Sequence, residues 1–106
     1  MKPRQVSVLD ACVARLGVHR GAIAASYVAR YAMTQVRLGH FPTAVEYADD
    51  WAITERSAWN HRARIQDALG DEWPDVVAAV ARHIERKQVG VNAAVRTLVP
   101  AKRALA

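Results

Sequence analysis

Arg56, Asn60 and Arg64 recur at intervals of four residues in the stretch WAITERSAWNHRARIQDALG, from Trp51 to Gly70. On an α-helix that interval stacks side chains on one face, since each residue advances about 100° around the axis. The same count gathers Ala63 and Asp67 with them and sets Ala58, Ile65 and Leu69 on the core side. Such a face is either a solvated helix surface, as most are, or one that hydrogen-bonds nucleotides. Arginine donates two bonds to guanine, asparagine pairs with adenine in both directions, and an α-helix fits the major groove of B-DNA. Arg56 and Asn60 are therefore the expected base contacts, assisted by Thr54, Ser57 and Trp59 through hydroxyl bonds and apolar contact. Thr43, Arg64 and Arg37 suit phosphate contacts, which orient a protein on the duplex without reading its sequence. Trp59 serves equally as a packing residue. Arg62 points inward by the same count, so it extends past the core edge, pairs with a carboxylate, or marks a helix rotated from this register.

Two start signals position this face. Thr43 followed by Glu46 has the form of a capping box, in which the threonine side chain and the glutamate each satisfy a free backbone N–H of the other. Thr54 begins a second helix, with Glu55 complementing its positive dipole end. Ala52 and Ile53 leave room between them only for a tight turn. The pattern from Phe41 to Gly70 resembles the helix-turn-helix superfamily of DNA-binding proteins, in its small wingless, phage or bacterial regulator form. Ala48 stands where many members have alanine because two helices cross closely. Ala52 stands where they usually have glycine, and a left-handed alanine costs about 1 kcal/mol or more unless a slightly different turn relieves it.

The resemblance implies that the first motif helix positions the second across the DNA backbone. It implies sequence-specific binding of double-stranded DNA by a transcriptional regulator or a recombination or phage control factor. A homodimer would then read two half-sites about one DNA turn apart.

The rest of the chain is expected to be scaffold in a single domain spanning 1–106, an all-α bundle of about five helices. A first helix is predicted from about Val6 to Leu16, burying Leu9, Cys12, Val13 and Leu16 and ending at Gly17. A second runs from about Arg20 to Leu38, with Ile23, Tyr27, Tyr31 and Leu38 on one face, broadened by Val28, Met33 and Val36. That wide surface fits either the central helix of a bundle or a homodimer interface. In the motif's first helix Val45, Ala48 and the neighbourhood of Tyr47 and Trp51 face the core while Glu46, Asp49 and Asp50 point mostly outward. Pro74 opens a further helix that buries Val77, Val80, Ala81 and Ile84. No hairpin signal follows Gly70, so a β-wing is not expected. Residues 90–106 hold a short helix candidate, VNAAVRTL, and a basic tail with Lys102 and Arg103.

Composition narrows the function classes. The formal charge is +5 and the pI about 10, which suits an anionic partner. The charge is uneven: residues 1–39 carry six Lys/Arg and one acid, 40–72 three and seven, and 73–106 six and two. The motif is thus the acidic third, and the flanks must supply phosphate contact. That acidity supports a rival expectation, a helical protein–protein interaction module acting as adaptor or inhibitor of a host protein without binding DNA. The lone Cys12 can form no internal disulfide and reads as a small core residue in a cytoplasmic protein. No signal peptide or membrane-spanning run is evident. His19, His40, His61 and His83 lack a second ligand at metal spacing, and no phosphate loop, GxSxG or HExxH motif is present. No catalytic residue, metal, cofactor or small-molecule substrate is expected.

Overall fold

The computed structural model describes residues 4–100. In chain order its elements are β1 (Gln5–Ser7), α1 (Val8–Leu16), α2 (Val18–Leu38), α3 (Ala44–Trp51), α4 (Glu55–Leu69), α5 (Trp73–Lys87), α6 (Val91–Ala94) and β2 (Leu98–Pro100). The fold is all-α, with five principal helices, the single-turn α6 and one small two-stranded sheet among the described residues. A 3-10 turn, Gly70–Glu72, joins α4 to α5, so no β-hairpin follows α4. Lys102 and Arg103 lie outside the described residues.

The first helix starts two residues later than its apolar pattern predicts. Ser7 caps it, its Oγ accepting from the Asp10 N–H at 3.0 Å. Val6 instead joins β1, which pairs antiparallel with β2 in the register Val6↔Val99. Two more free N–H groups of α1 reach the chain's far end, Val8 to the Thr97 carbonyl and Leu9 to the Val95 carbonyl. The C-terminal segment thereby satisfies donors that a helix start leaves open. The stretch expected as one helix, VNAAVRTL, ends its helical part at Ala94 to make these bonds.

Gly17 alone separates α1 from α2. One turn later, a Cβ on Gly21 would lie 2.5 Å from the Val13 Cα, so the helices meet backbone to backbone there. The buried face of α2 is Gly21, Ala24, Ala25, Val28, Ala29, Tyr31, Ala32 and Thr34, whereas Ile23 and Leu38, expected inside, are exposed. Small residues line this face because α2 is the central helix, against which α1, α4, α5 and α6 all pack. The α5 stripe is as predicted: Val77, Val80, Ala81 and Ile84 are buried, joined by Trp73. Cys12 is fully buried, and desolvation pushes its thiol up to about 12, leaving a neutral core side chain. Among the described residues no helix is long and apolar enough to cross a membrane.

Candidate nucleic-acid interface

An aromatic floor holds α3 and α4. Tyr31 of α2 stacks on Tyr47 of α3 with centroids 4.7 Å apart, meets Trp73 edge-on, and donates its hydroxyl to the Pro42 carbonyl at 2.7 Å. His61 of α4 stacks on Tyr27 at 3.7 Å, and its Nδ1 lies 2.9 Å from the Tyr47 hydroxyl. Burial, and then the Arg30 charge, hold His61 below its ordinary pKa. Its neutral ring can accept a hydrogen bond from the tyrosine hydroxyl.

The capping box is present as predicted. Thr43 Oγ1 accepts from the Glu46 N–H at 3.1 Å, and Glu46 Oε1 accepts from the Thr43 N–H at 2.9 Å. That backbone bond first, and then His40 at 2.7 Å, hold the Glu46 carboxyl below its usual range. Three residues, 52–54, connect α3 to α4. Ala52 adopts φ 54°, ψ 45°, so the turn takes the left-handed geometry with an alanine in it and no alternative geometry relieves the strain. The Ile53 N–H closes the turn on the Ala48 carbonyl at 3.0 Å. Thr54 caps α4 by accepting from the Ser57 N–H at 3.0 Å, and its hydroxyl also bonds Ser57 Oγ.

On α4, Ala58, Ile65 and Ala68 are buried, and Leu69, expected inside, is only partly so. Arg56, Asn60, Ala63, Arg64 and Asp67 are exposed, and Arg56, Asn60 and Arg64 have no hydrogen-bond or ion-pair partner among the described residues. Arg64 shares a concavity with Leu16, His19, Arg20, Ile23 and Tyr27, which brings the basic start of α2 beside α4. Arg15 of α1 approaches Gly70, at the carbonyl end of α4, where a cation is favoured and α4 itself has none in its last turn. Arg15 and Arg20 carry no motif signal. Their place beside α4 follows from helix crossings that periodicity alone does not reveal.

Thr43 and Trp59 meet across a second concavity, lined with Phe41, Pro42, Val45 and Arg62. Trp59 is 52% exposed and donates a long bond, 3.4 Å, to Glu55. Val45, expected inside, is 49% exposed, because Ala44, Tyr47 and Ala48 form the buried face of α3. Arg62 does extend past the core edge, its guanidinium lying 4.7 Å from the Trp59 ring and 5.2 Å from Trp73. Arg37 stands apart from the α4 face, paired with Asp50 at 2.7 Å and lying over Trp51. Asp50, expected outside, turns to α2, where Thr34 also donates to it at 2.6 Å. Trp51 completes that lock by donating its indole N–H to Thr34 at 2.9 Å. No protein-family model matches this chain, and no curated protein or solved structure shows significant similarity to it.

Proposed function

We propose that the protein binds double-stranded DNA sequence-specifically, inserting α4 into a major groove as a helix-turn-helix protein does. The observation that carries this reading is the unpartnered, exposed set Arg56, Asn60 and Arg64 on one face of α4. Arg56 and Asn60 contact base edges, with Thr54, Ser57 and Trp59 at the margin. Arg64, with Arg20 beside it, contacts phosphate. Thr43 adds its hydroxyl at the motif's entry, although the Glu46 carboxylate stands next to it, and Arg37 reaches a phosphate only by leaving Asp50. A homodimer places two α4 helices on half-sites one DNA turn apart. Regulation of transcription or of recombination is the role such binding serves.

The test begins with selection of bound fragments from a random DNA library, followed by gel-shift titration at two salt concentrations. Arg56→Ala is expected to weaken binding to the selected site by about 1–3 kcal/mol and relax preference at one position. Unchanged affinity and preference would remove Arg56 from the reading face. Absence of any shift at low salt would overturn DNA binding itself.

A second reading, a helical module that binds protein, is favoured by one observation: Phe41, Val45 and Trp59 expose apolar surface around a single concavity.

A further inference from the structure

Away from α4, the surface between α5 and the C-terminal strand gathers positive charge around one concavity of about 430 Å³. Arg82 and Arg86 stand one turn apart on α5 with His83 beside them, and Arg96 faces them from the link between α6 and β2. Arg96 is carried on a pinned backbone: its N–H bonds the Ala93 carbonyl, the Thr97 N–H bonds Ala94, and the Thr97 carbonyl accepts from Val8. No ion pair engages any of the three arginines among the described residues, and no carboxylate lines the concavity. Within it Arg86 Nη2 lies 3.5 Å from His83 Nδ1. Thr97, only 4% exposed, also lines the concavity and keeps a buried hydroxyl with no hydrogen-bond partner among the described residues.

Arg82 also lines neighbouring concavities with Glu72, Asp75 and Glu85. Around the space it shares with Arg86 and Arg96 no carboxylate stands, so the three guanidinium groups repel one another there and an anion placed among them offsets that repulsion. Guanidinium forks match the paired oxygens of phosphate. We infer that Arg82, Arg86 and Arg96 form a phosphoryl-binding site, with His83 at its edge. The group bound is a phosphate with at least two free oxygens, carried either by a DNA backbone or by a soluble phosphorylated small molecule. The exposed Leu98 side chain and Ala79 on the rim offer apolar contact to whatever bears it. The site is independent of the α4 face and stands whether or not Arg56 reads a base.

The test is an NMR titration of the full chain with inorganic phosphate and with pyrophosphate, against sodium chloride at matched ionic strength. The expected result is saturable shifts at Thr97, Leu98 and the arginine Nε–H groups, absent with chloride. Arg96→Ala is expected to weaken that binding about tenfold or more, the usual size of a lost charge-assisted hydrogen bond. Lys87→Ala, which removes an equal charge just outside the concavity, is expected to retain it. A phosphate response no different from chloride, or one that survives in the Arg82→Ala/Arg96→Ala double variant, would overturn the site. Arg96→Lys checks that the loss reflects guanidinium geometry, because it keeps charge and length and should recover binding only in part. Mixed-sequence duplex DNA then separates the sources. A log K against log salt slope reduced by about 1 in Arg96→Ala assigns the phosphate to a DNA backbone. An unchanged slope, or no DNA binding by the native chain, assigns it to a soluble ligand.

Discussion

Replacing Ala52 with glycine should stabilise the protein while leaving every contact of the α3–α4 turn in place. Ala52 sits at φ 54°, ψ 45°, where an L-residue's Cβ crowds the following carbonyl. That conformation costs roughly 1–2 kcal/mol for a residue with a side chain. Glycine removes the cost but has more freedom to lose from the unfolded chain, which returns about 0.4–1 kcal/mol. The Ala52 methyl group is exposed, so its removal opens no cavity, and the N–H bonds to Ala48 and Asp49 remain. The net gain is about 0.5–1 kcal/mol, which for a chain of this size raises Tm by about 2–6 °C. Urea denaturation and calorimetry both read it, and an unchanged m-value would show that the surface exposed on unfolding is the same in both proteins. Gln88 is a matched control at φ 54°, ψ 43°, so Gln88→Gly should shift Tm in the same direction. Stabilisation at Gln88 with none at Ala52 would refute the assignment of strain to the turn.

Gly21→Ala should be strongly destabilising, by about 3 kcal/mol or more, because the added Cβ meets α1 backbone atoms of Val13 and Cys12 that no rotamer change can move; a thermal melt within 3 °C of the native one would refute the close crossing. Acid should act in two windows. His61 has a folded pKa below its ordinary 6.5, so the unfolded chain takes up the proton first; its contribution is complete above about 6.5 and is lost as pH falls through the lower folded value. Tm should therefore drop between pH 7.5 and 5.5, and drop less in His61→Gln; equal slopes in the two proteins would count against the neutral ring on Tyr47. Glu46, depressed from 4.5, contributes above that value and loses its contribution at lower pH still, so Glu46→Gln should flatten only the more acid part of the profile.

Signals that act within one turn of chain were legible in the sequence. Thr43 with Glu46, Thr54 and Gly17 set helix ends through bonds spanning three or four residues, and the helices begin or end there. The outward direction of Arg56, Asn60 and Arg64 was legible for the same reason. What escaped depends on partners distant in sequence. A count of large apolar residues on α2 favours Ile23 and Leu38, but it cannot register that the face the neighbouring helices cover runs through Gly21 and four alanines, with Val28 and Tyr31 among them. The β1–β2 pair joins three-residue strands more than ninety positions apart, too short to show alternation. Arg62 was correctly directed inward, but its companion Trp73 lies on the next helix and enters only with the fold.

The acidity of residues 40–72 bears differently on DNA once the pairs are placed. Glu46 is engaged by the Thr43 N–H and His40, and Asp50 by Thr34 and Arg37. An exposed pair such as Arg37–Asp50 adds at most about 1 kcal/mol to stability. Its larger consequence is electrostatic, since it turns a carboxylate of α3 towards α2. The stripe centred on Arg56, Asn60 and Arg64 then includes one acid, Asp67, towards the C-terminal end of α4. The same packing that commits Arg37 and Arg62 to tryptophan rings leaves Arg56 and Arg64 uncommitted. Burial and pairing thus sort the arginines into those that hold the helices and those that face outward, a sorting that net charge could not supply.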